Sequence, residues 1–390
     1  MSLINKLVPL GIPLAWLNLV KEKKRFFAAV AGIIFAVTMM LYQMGLKTAM
    51  FTQVVFPHLM LNGDIVIVNP QYEYFGISRG FTEKRLNQAF ALPEVEDVAP
   101  LYLVNLPIKN PDTLVNRDIF IIGFDPANKP FDDPAIEAQQ GMLKIPGNAL
   151  FDERSHAKFG PIVERLEDGT VTTETNGRAT EIVGSFEMGT TFAADGNLLV
   201  GKQTFFEIFP GQDPNLAAVG LIMLKEGSDA EKVAETLRAK LPHDVKIMTR
   251  AEFIDNEKRY WGERTPIGFV ISASMTVAII VGAVIVYQIL YTDVTDHLEE
   301  YATLKSIGFK DSYFISLILQ ESIILSVFGF IPGAALTAGL YYVTRRVAYM
   351  PTEFQWDNAG IVLGLTIVMC MLAGALATRK LRHANPADIF

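Results

Sequence analysis

Apolar and polar residues are sharply segregated along this chain. Residues 26–45, 267–291, 313–343 and 359–378 form four nearly unbroken apolar windows. Each is long enough to cross a ~30 Å hydrocarbon core, which takes about 20 helical residues. The third exceeds that need and carries Glu321 and Pro332, so it must tilt, kink or protrude. Between the first two windows, residues 46–266 have an ordinary globular pattern. Thr48, Phe51, Val55 and Leu59 continue the helical spacing of the first window and predict a stalk. Strand-like runs follow at 63–70 and 117–126, closed by Asn-Pro and Asp-Pro turns. A helix over 82–91, Leu92-Pro93 and a strand near 95–103 are echoed by a helix over 229–240, Leu241-Pro242 and a strand over 244–249. That echo predicts a duplicated α+β module, with 137–191 as a turn-rich inserted β subdomain and 251–264 as a helix returning to the second window.

Composition agrees with a chain partly in lipid. Of its 390 residues, 50% are hydrophobic and only 19% charged, and the mean hydropathy is +0.28. Basic residues flank the first window at Lys21, Lys23, Lys24 and Arg25, and the fourth at Arg379, Lys380 and Arg382. An even number of spans brings both flanks to one side, which the positive-inside rule makes the cytoplasm. Arg345 and Arg346 oppose this, offset by the nearby Glu353 and Asp357. The fold class expected is an α-helical membrane protein with four transmembrane helices and a large α+β extracytoplasmic domain between the first and second. The segments are 1–25, with an amphipathic helix lying on the inner leaflet around Trp16; span one, 26–45; stalk and outer domain, 46–266; span two, 267–291; a cytoplasmic connection, 292–312; span three, 313–343; a short outer loop, 344–358; span four, 359–378; and a cytoplasmic tail, 379–390.

The connection between spans two and three is more structured than a turn requires. Leu298, Tyr301, Ala302, Leu304 and Lys305 fall at helical spacing beside Glu299 and Glu300, and Gly308 marks an end. With Asp293 and Asp296 it offers an acidic face, suited to basic residues of a protein partner rather than to anionic lipid.

No catalytic centre is expected. Residues 196–203 come within one position of a phosphate-binding loop, but Gln203 stands where Ser or Thr would hold Mg²⁺. His58, His156, His243, His297 and His383 are scattered without metal-ligand spacing, and no GxSxG marks a nucleophile. The single cysteine, Cys370, lies in an apolar window, so no disulfide forms within the chain. A net charge of −8 argues against nucleic-acid binding. Neither a metal nor a bound cofactor is expected. Two intramembrane features remain. Gln320 and Glu321 are costly to place in lipid, and a structural role outweighs a functional one because no second acid or histidine in the spans completes a proton relay. Gly329 and Gly333 in span three, and Gly360 and Gly364 in span four, permit close helix packing, within the bundle or against a second copy.

The segment Leu304-Lys305-Ser306-Ile307-Gly308, followed by Leu319-Gln320-Glu321-Ser322, resembles the FtsX/MacB/LolC-type permeases of ABC transporters. Similarity to the DevC group of cyanobacterial exporters is closer still. It rests on Pro13-Leu14-Ala15-Trp16-Leu17, Gly63-Asp64, Gly123-Phe124-Asp125-Pro126, Glu300-Tyr301-Ala302-Thr303-Leu304-Lys305 and Asn385-Pro386-Ala387-Asp388-Ile389-Phe390. The resemblance implies an inner-membrane exporter subunit that acts as a homodimer. A separate ABC ATPase subunit, holding ATP and Mg²⁺, would dock on a coupling helix comprising Asp296, Glu299, Glu300, Tyr301, Leu304, Lys305 and Gly308. A periplasmic adaptor and a TolC-like outer-membrane channel would complete the route, with a glycolipid among the candidate substrates. An FtsX-like regulator of cell-wall hydrolases, a lipoprotein-releasing LolC type and a membrane-anchored receptor are the alternatives.

Overall fold

A computed structural model describes residues 21, 23–76, 79–191, 194–296, 303–304, 307–347 and 350–377. The amphipathic helix expected around Trp16 and the tail 379–390 lie outside the described residues, as do Glu299, Glu300, Tyr301 and Lys305. The chain divides into two compact units. One contains the four apolar helices and the other runs Met50–Thr265.

The elements follow in order as α1 (Lys23–Met60), β1 (Ile65–Val68), β2 (Phe81–Thr82), α2 (Lys84–Phe90), β3 (Val95–Lys109), β4 (Asn116–Phe124), α3 (Pro134–Gln139), β5 (Asn148–Asp152), α4 (Ile162–Leu166), β6 (Val171–Thr175), β7 (Arg178–Phe186), β8 (Asn197–Gly201), α5 (Lys202–Ile208), β9 (Leu216–Ala217), β10 (Val219–Leu224), α6 (Ala230–Lys240), β11 (Lys246–Thr249), α7 (Arg250–Arg259), α8 (Pro266–Asp296), α9 (Asp311–Val347) and α10 (Trp356–Ala377).

The globular unit is built on one nine-stranded sheet, ordered β11-β1-β10-β3-β4-β8-β5-β7-β6. Its central strands read as continuous apolar runs because both faces are covered. In β1, Ile65 and Ile67 enter one core while Val66 and Val68 enter the other. In β4, Ile119 and Ile121 part from Phe120 and Ile122 in the same way. Leu86 of α2 and Val233, Ala234 and Leu237 of α6 seal the first core. Phe253 of α7, Ile136 of α3 and Met60 at the end of α1 enter the second.

The inserted subdomain expected over 137–191 does not stand apart. Strands β5, β7 and β6 extend the same sheet, because β8 pairs in parallel with β4 and antiparallel with β5. A single pair, Ile108↔Thr175, then ties β6 back to β3, so six strands close into a ring. The two echoed helices lie over one face of a single sheet rather than in two repeated modules.

In the apolar unit the four helices are long and apolar enough to cross a membrane. Burial differs among them: 44% of the span-one window is buried within the chain, against 17% for span two. Ala29, Ile33, Ala36, Val37, Met40 and Leu41 form a single inward stripe on α1. Lipid tails are as apolar as these side chains, so close backbone approach and polar bonds hold the helices together. A Cβ on Gly329 would collide with the Ile33 side chain, and one on Gly333 would sit 2.9 Å from Val37 Cγ1. These glycines therefore seat α9 against α1. Gly360 and Gly364 have nothing within 4 Å and serve no packing inside the chain. Thr38 Oγ1 donates to the Gly333 carbonyl at 3.3 Å, the Tyr341 hydroxyl to the Leu41 carbonyl, and Asn358 Nδ2 to Thr48 Oγ1 at 3.3 Å.

Gly329→Val should therefore overpack the α1–α9 contact, costing about 1–3 kcal/mol. Thermal unfolding of the detergent-purified chain should show a lower midpoint for Gly329→Val and none for Gly360→Val. Equal midpoints for the two variants would contradict this packing.

Candidate functional site

The connection between α8 and α9 is described at Asp296 and again at 303–304 and 307–310. Helix α8 carries the chain to Asp296, which is exposed, with Val294 still fully buried in the bundle core. At the far side a helical turn terminates at Gly308, whose φ of +107° is one that glycine adopts without strain. Ile307 N donates to the Thr303 carbonyl at 3.3 Å, and Phe309 N reaches back to the Leu304 carbonyl at 3.2 Å. This is the six-to-one closure of a Schellman cap, and its usual apolar contact is present: Leu304 and Phe309 both pack on Leu317, with Tyr313. Leu304 thus has an internal packing role, while the neighbouring Ile307 is 70% exposed. The cap presents an apolar side chain outward from a rigid turn.

Gln320 and Glu321 lie one turn further along α9 than Leu317. Glu321 and Ser322 are fully buried. Gln320 Nε2 donates to Ser316 Oγ at 3.3 Å, and Ser322 Oγ to the Ile318 carbonyl at 2.8 Å. A Cβ on Gly374 of α10 would meet Ser322 Oγ at 2.5 Å and Leu290 of α8 at 3.5 Å, so three helices converge beside the acid. Among the described residues, no group of three or more metal-ligating side chains forms anywhere.

The near-miss phosphate loop has the strand–glycine–helix order of the real motif, β8 to α5. Its lysine is engaged otherwise. Lys202 Nζ lies 3.1 Å from Glu83 Oε1 and 5.0 Å from the Tyr102 ring centroid, and the Tyr102 hydroxyl donates to the same carboxylate. A Cβ at Gly201 would collide with the Leu143 carbonyl, so this glycine serves a close backbone approach.

One polar cluster was not marked by its sequence. Glu257 of α7 is 2% exposed. Its carboxylate accepts from Trp261 Nε1 at 3.0 Å, from Phe75 N at 3.1 Å and from the Tyr72 hydroxyl at 3.4 Å. His58, in the last turn of α1, is 1% exposed, with Nε2 3.3 Å from Glu257 Oε2. That approach is close enough for attraction, but neither ring nitrogen makes a hydrogen bond among the described residues. The imidazole is held by rings, 4.6 Å from Phe253 and 5.1 Å from Phe75. Burial, reinforced by the Glu257 charge, pushes the Tyr72 hydroxyl well above its ordinary pKa, so it stays a donor. The cluster joins the end of α1 to α7 through a buried carboxylate. A signal did exist in the sequence: Phe253, Glu257 and Trp261 recur at four-residue spacing, which puts an acid on the apolar stripe of a helix.

Glu257→Ala would orphan three buried donors and should cost about 3–5 kcal/mol. His58→Phe keeps the ring packing and should cost about 1 kcal/mol or less. Denaturant titration of the purified chain, followed by tryptophan fluorescence, separates the two; similar midpoints would mean that the carboxylate does not hold the cluster.

Residues 272–386, which run from within span two through span four, match the family described as FtsX-like permease C-terminal. An uncharacterized ABC transporter permease of Methanocaldococcus jannaschii is 22% identical over 178 residues, covering 43% of this chain. The chain spans 44% of the length of that curated relative. Among solved structures, the periplasmic region of MacB from Actinobacillus actinomycetemcomitans aligns at 12% identity with a TM-score of 0.34, over 49% of this chain and 91% of that one. The extracellular domain of the noncanonic ABC-type transporter YknZ from Gram-positive bacteria aligns at 12% identity with a TM-score of 0.32, over 48% of this chain and all of that one. The three apolar helices and the polar connection between the first two are thus the part of this chain that is similar to the FtsX-like permease C-terminal family.

Proposed function

We propose that this chain is the membrane subunit of an ABC exporter, driven by an ATPase on a separate polypeptide. The observation that carries the reading is the FtsX-like permease match, which includes the polar connection between spans two and three. Two features of the chain support it. The near-miss phosphate loop has its lysine engaged by Glu83, which agrees with an ATPase on another polypeptide. The connection ends in a rigid cap with exposed Ile307 beside it, a shape suited to insertion into a cleft of another protein.

In this reading the connection is cytoplasmic and the Met50–Thr265 unit lies outside. Asp296, Glu299, Glu300 and Tyr301 supply an acidic face toward the ATPase, Ile307 the apolar anchor, and Leu304, Lys305 and Gly308 the fold of the docking turn. Two copies of the chain dock two ATPases, and the exposed apolar side of span two, with Val277, Ile280 and Val284, faces lipid or the second copy. Closure of the ATPases moves the helices, and the displacement reaches the outer unit along α1, which is helical from Lys23 to Met60. It returns through α7 and the five-residue π turn Tyr260–Arg264 into α8. The Glu257 cluster fastens the end of α1 to α7, so the two strokes act together. Substrate, of the glycolipid class among others, is moved on the outer side toward an adaptor and a TolC-like channel rather than through the bundle. Glu321 acts structurally, at the junction of three helices.

Co-expression with the cognate ATPase tests the docking surface. Glu299→Arg combined with Glu300→Arg, and separately Ile307→Asp, should abolish co-purification of the ATPase while the thermal midpoint of the purified chain is unchanged. Normal ATPase capture by both variants would rule out this segment as the coupling element, and a chain that captures no ATPase in wild-type form would favour the receptor reading.

A further inference from the structure

A small cavity lies beside the Glu257 cluster, inside the globular unit. His58 of α1, Asn197 of β8 and Glu257 of α7 stand on its wall, with Val54, Phe75 and Met188 among its apolar lining. It gives the centre of a water molecule about 20 Å³ in which to sit. One water needs about 10–15 Å³ of such room, so the space fits one water and is too small for an organic ligand.

The three polar side chains named are almost fully buried: His58 is 1% exposed, Asn197 2% and Glu257 2%. Each has bonding capacity to spare. A carboxylate offers about four lone-pair places, and Trp261, Phe75 and Tyr72 give Glu257 one donor each. Asn197 spends both amide hydrogens, on Asp152 Oδ2 at 2.7 Å and on the Gly189 carbonyl at 2.8 Å, which leaves Oδ1 as an acceptor. A neutral imidazole carries one N–H donor and one acceptor nitrogen, and neither nitrogen of His58 makes a hydrogen bond among the described residues. Its Nε2 stands 3.3 Å from Glu257 Oε2, so a single oxygen atom can lie within bonding distance of both.

A buried N–H that gives up its hydration needs a new acceptor, and the two neighbouring oxygens can take donors. The site therefore calls for a group that accepts from the imidazole and donates to carboxylate and amide oxygens. Ammonium only donates and an anion only accepts, whereas a hydroxyl group does both, and the room admits only the smallest molecule bearing one. We propose that this cavity binds one internal water, which accepts from the His58 N–H and donates to Glu257 and to Asn197 Oδ1. The water holds the imidazole by a hydrogen bond in addition to its ring contacts, and it ties the end of α1 to β8 as well as to α7. The site belongs to the globular unit alone and does not rest on the ATPase-coupling reading.

The test is a crystal structure of the full chain, and of its His58→Phe variant, at a resolution that shows ordered water. The wild-type map should contain a single spherical peak about 2.7–3.2 Å from a His58 ring nitrogen. His58→Phe keeps the ring packing but removes both nitrogens, and the peak should be lost from its map. A wild-type map with no peak overturns the proposal, and so does elongated density, which would mean a larger ligand. A peak of unchanged height in His58→Phe would assign the water to Glu257 and Asn197 alone and overturn the part given to His58.

Discussion

Helix α1 answers to two solvents, and much of the architecture depends on how one continuous helix meets both demands. Its first half sits among apolar neighbours where burial from water supplies no driving force between helices. There Ile33, Ala36 and Val37 rely on close contact with glycines, and Thr38 on a hydroxyl-to-carbonyl bond. Its last turns enter a globular core where burial is the main favourable term, through Met60 and the aromatic rings around His58. A helix anchored by different physics at its two ends is a suitable strut. It has side chains in both units, and Pro57 near its end lacks the N–H that would continue the backbone ladder.

The polar groups that matter lie where such a strut needs fastening. Glu257 is buried, and Trp261, Phe75 and Tyr72 each give its carboxylate a hydrogen bond. Losing one donor would leave a buried carboxylate short of partners, so the cluster resists partial opening. In the connection between α8 and α9, the turn at Gly308 is closed by backbone bonds and by Leu304 and Phe309 packing on Leu317. Both features convert a flexible place, a helix end or a loop, into a defined one.

The globular sheet shows another use of constraint. Its strands are apolar on both faces and would be insoluble alone, and they become tolerable because helices cover one side while α1, α3 and α7 supply residues to the other. Closure of six strands through Ile108 and Thr175 removes much of the exposed edge that such a sheet would otherwise present.

Local regularity was readable without any structure. The four spans follow from the length of apolar runs, the extension of the first helix past the membrane from the spacing of Phe51, Val55 and Leu59, and the helix end from Gly308. Each rests on interactions between residues a few positions apart, or on transfer of a contiguous stretch into lipid, and these are written in the chain directly. Pairing at a distance is not. That β8 lies parallel to β4, that 137–191 joins the main sheet, that Gly333 meets Val37 while Gly360 meets nothing, and that His58 sits against Glu257 across 199 positions of chain all depend on which surfaces fold together. The sequence by itself determined what each segment could bury and where the chain must turn. Only the tertiary structure decided which partner each buried face received, because that choice is a competition among many apolar surfaces of nearly equal affinity, resolved by shape and by the hydrogen bonds left over.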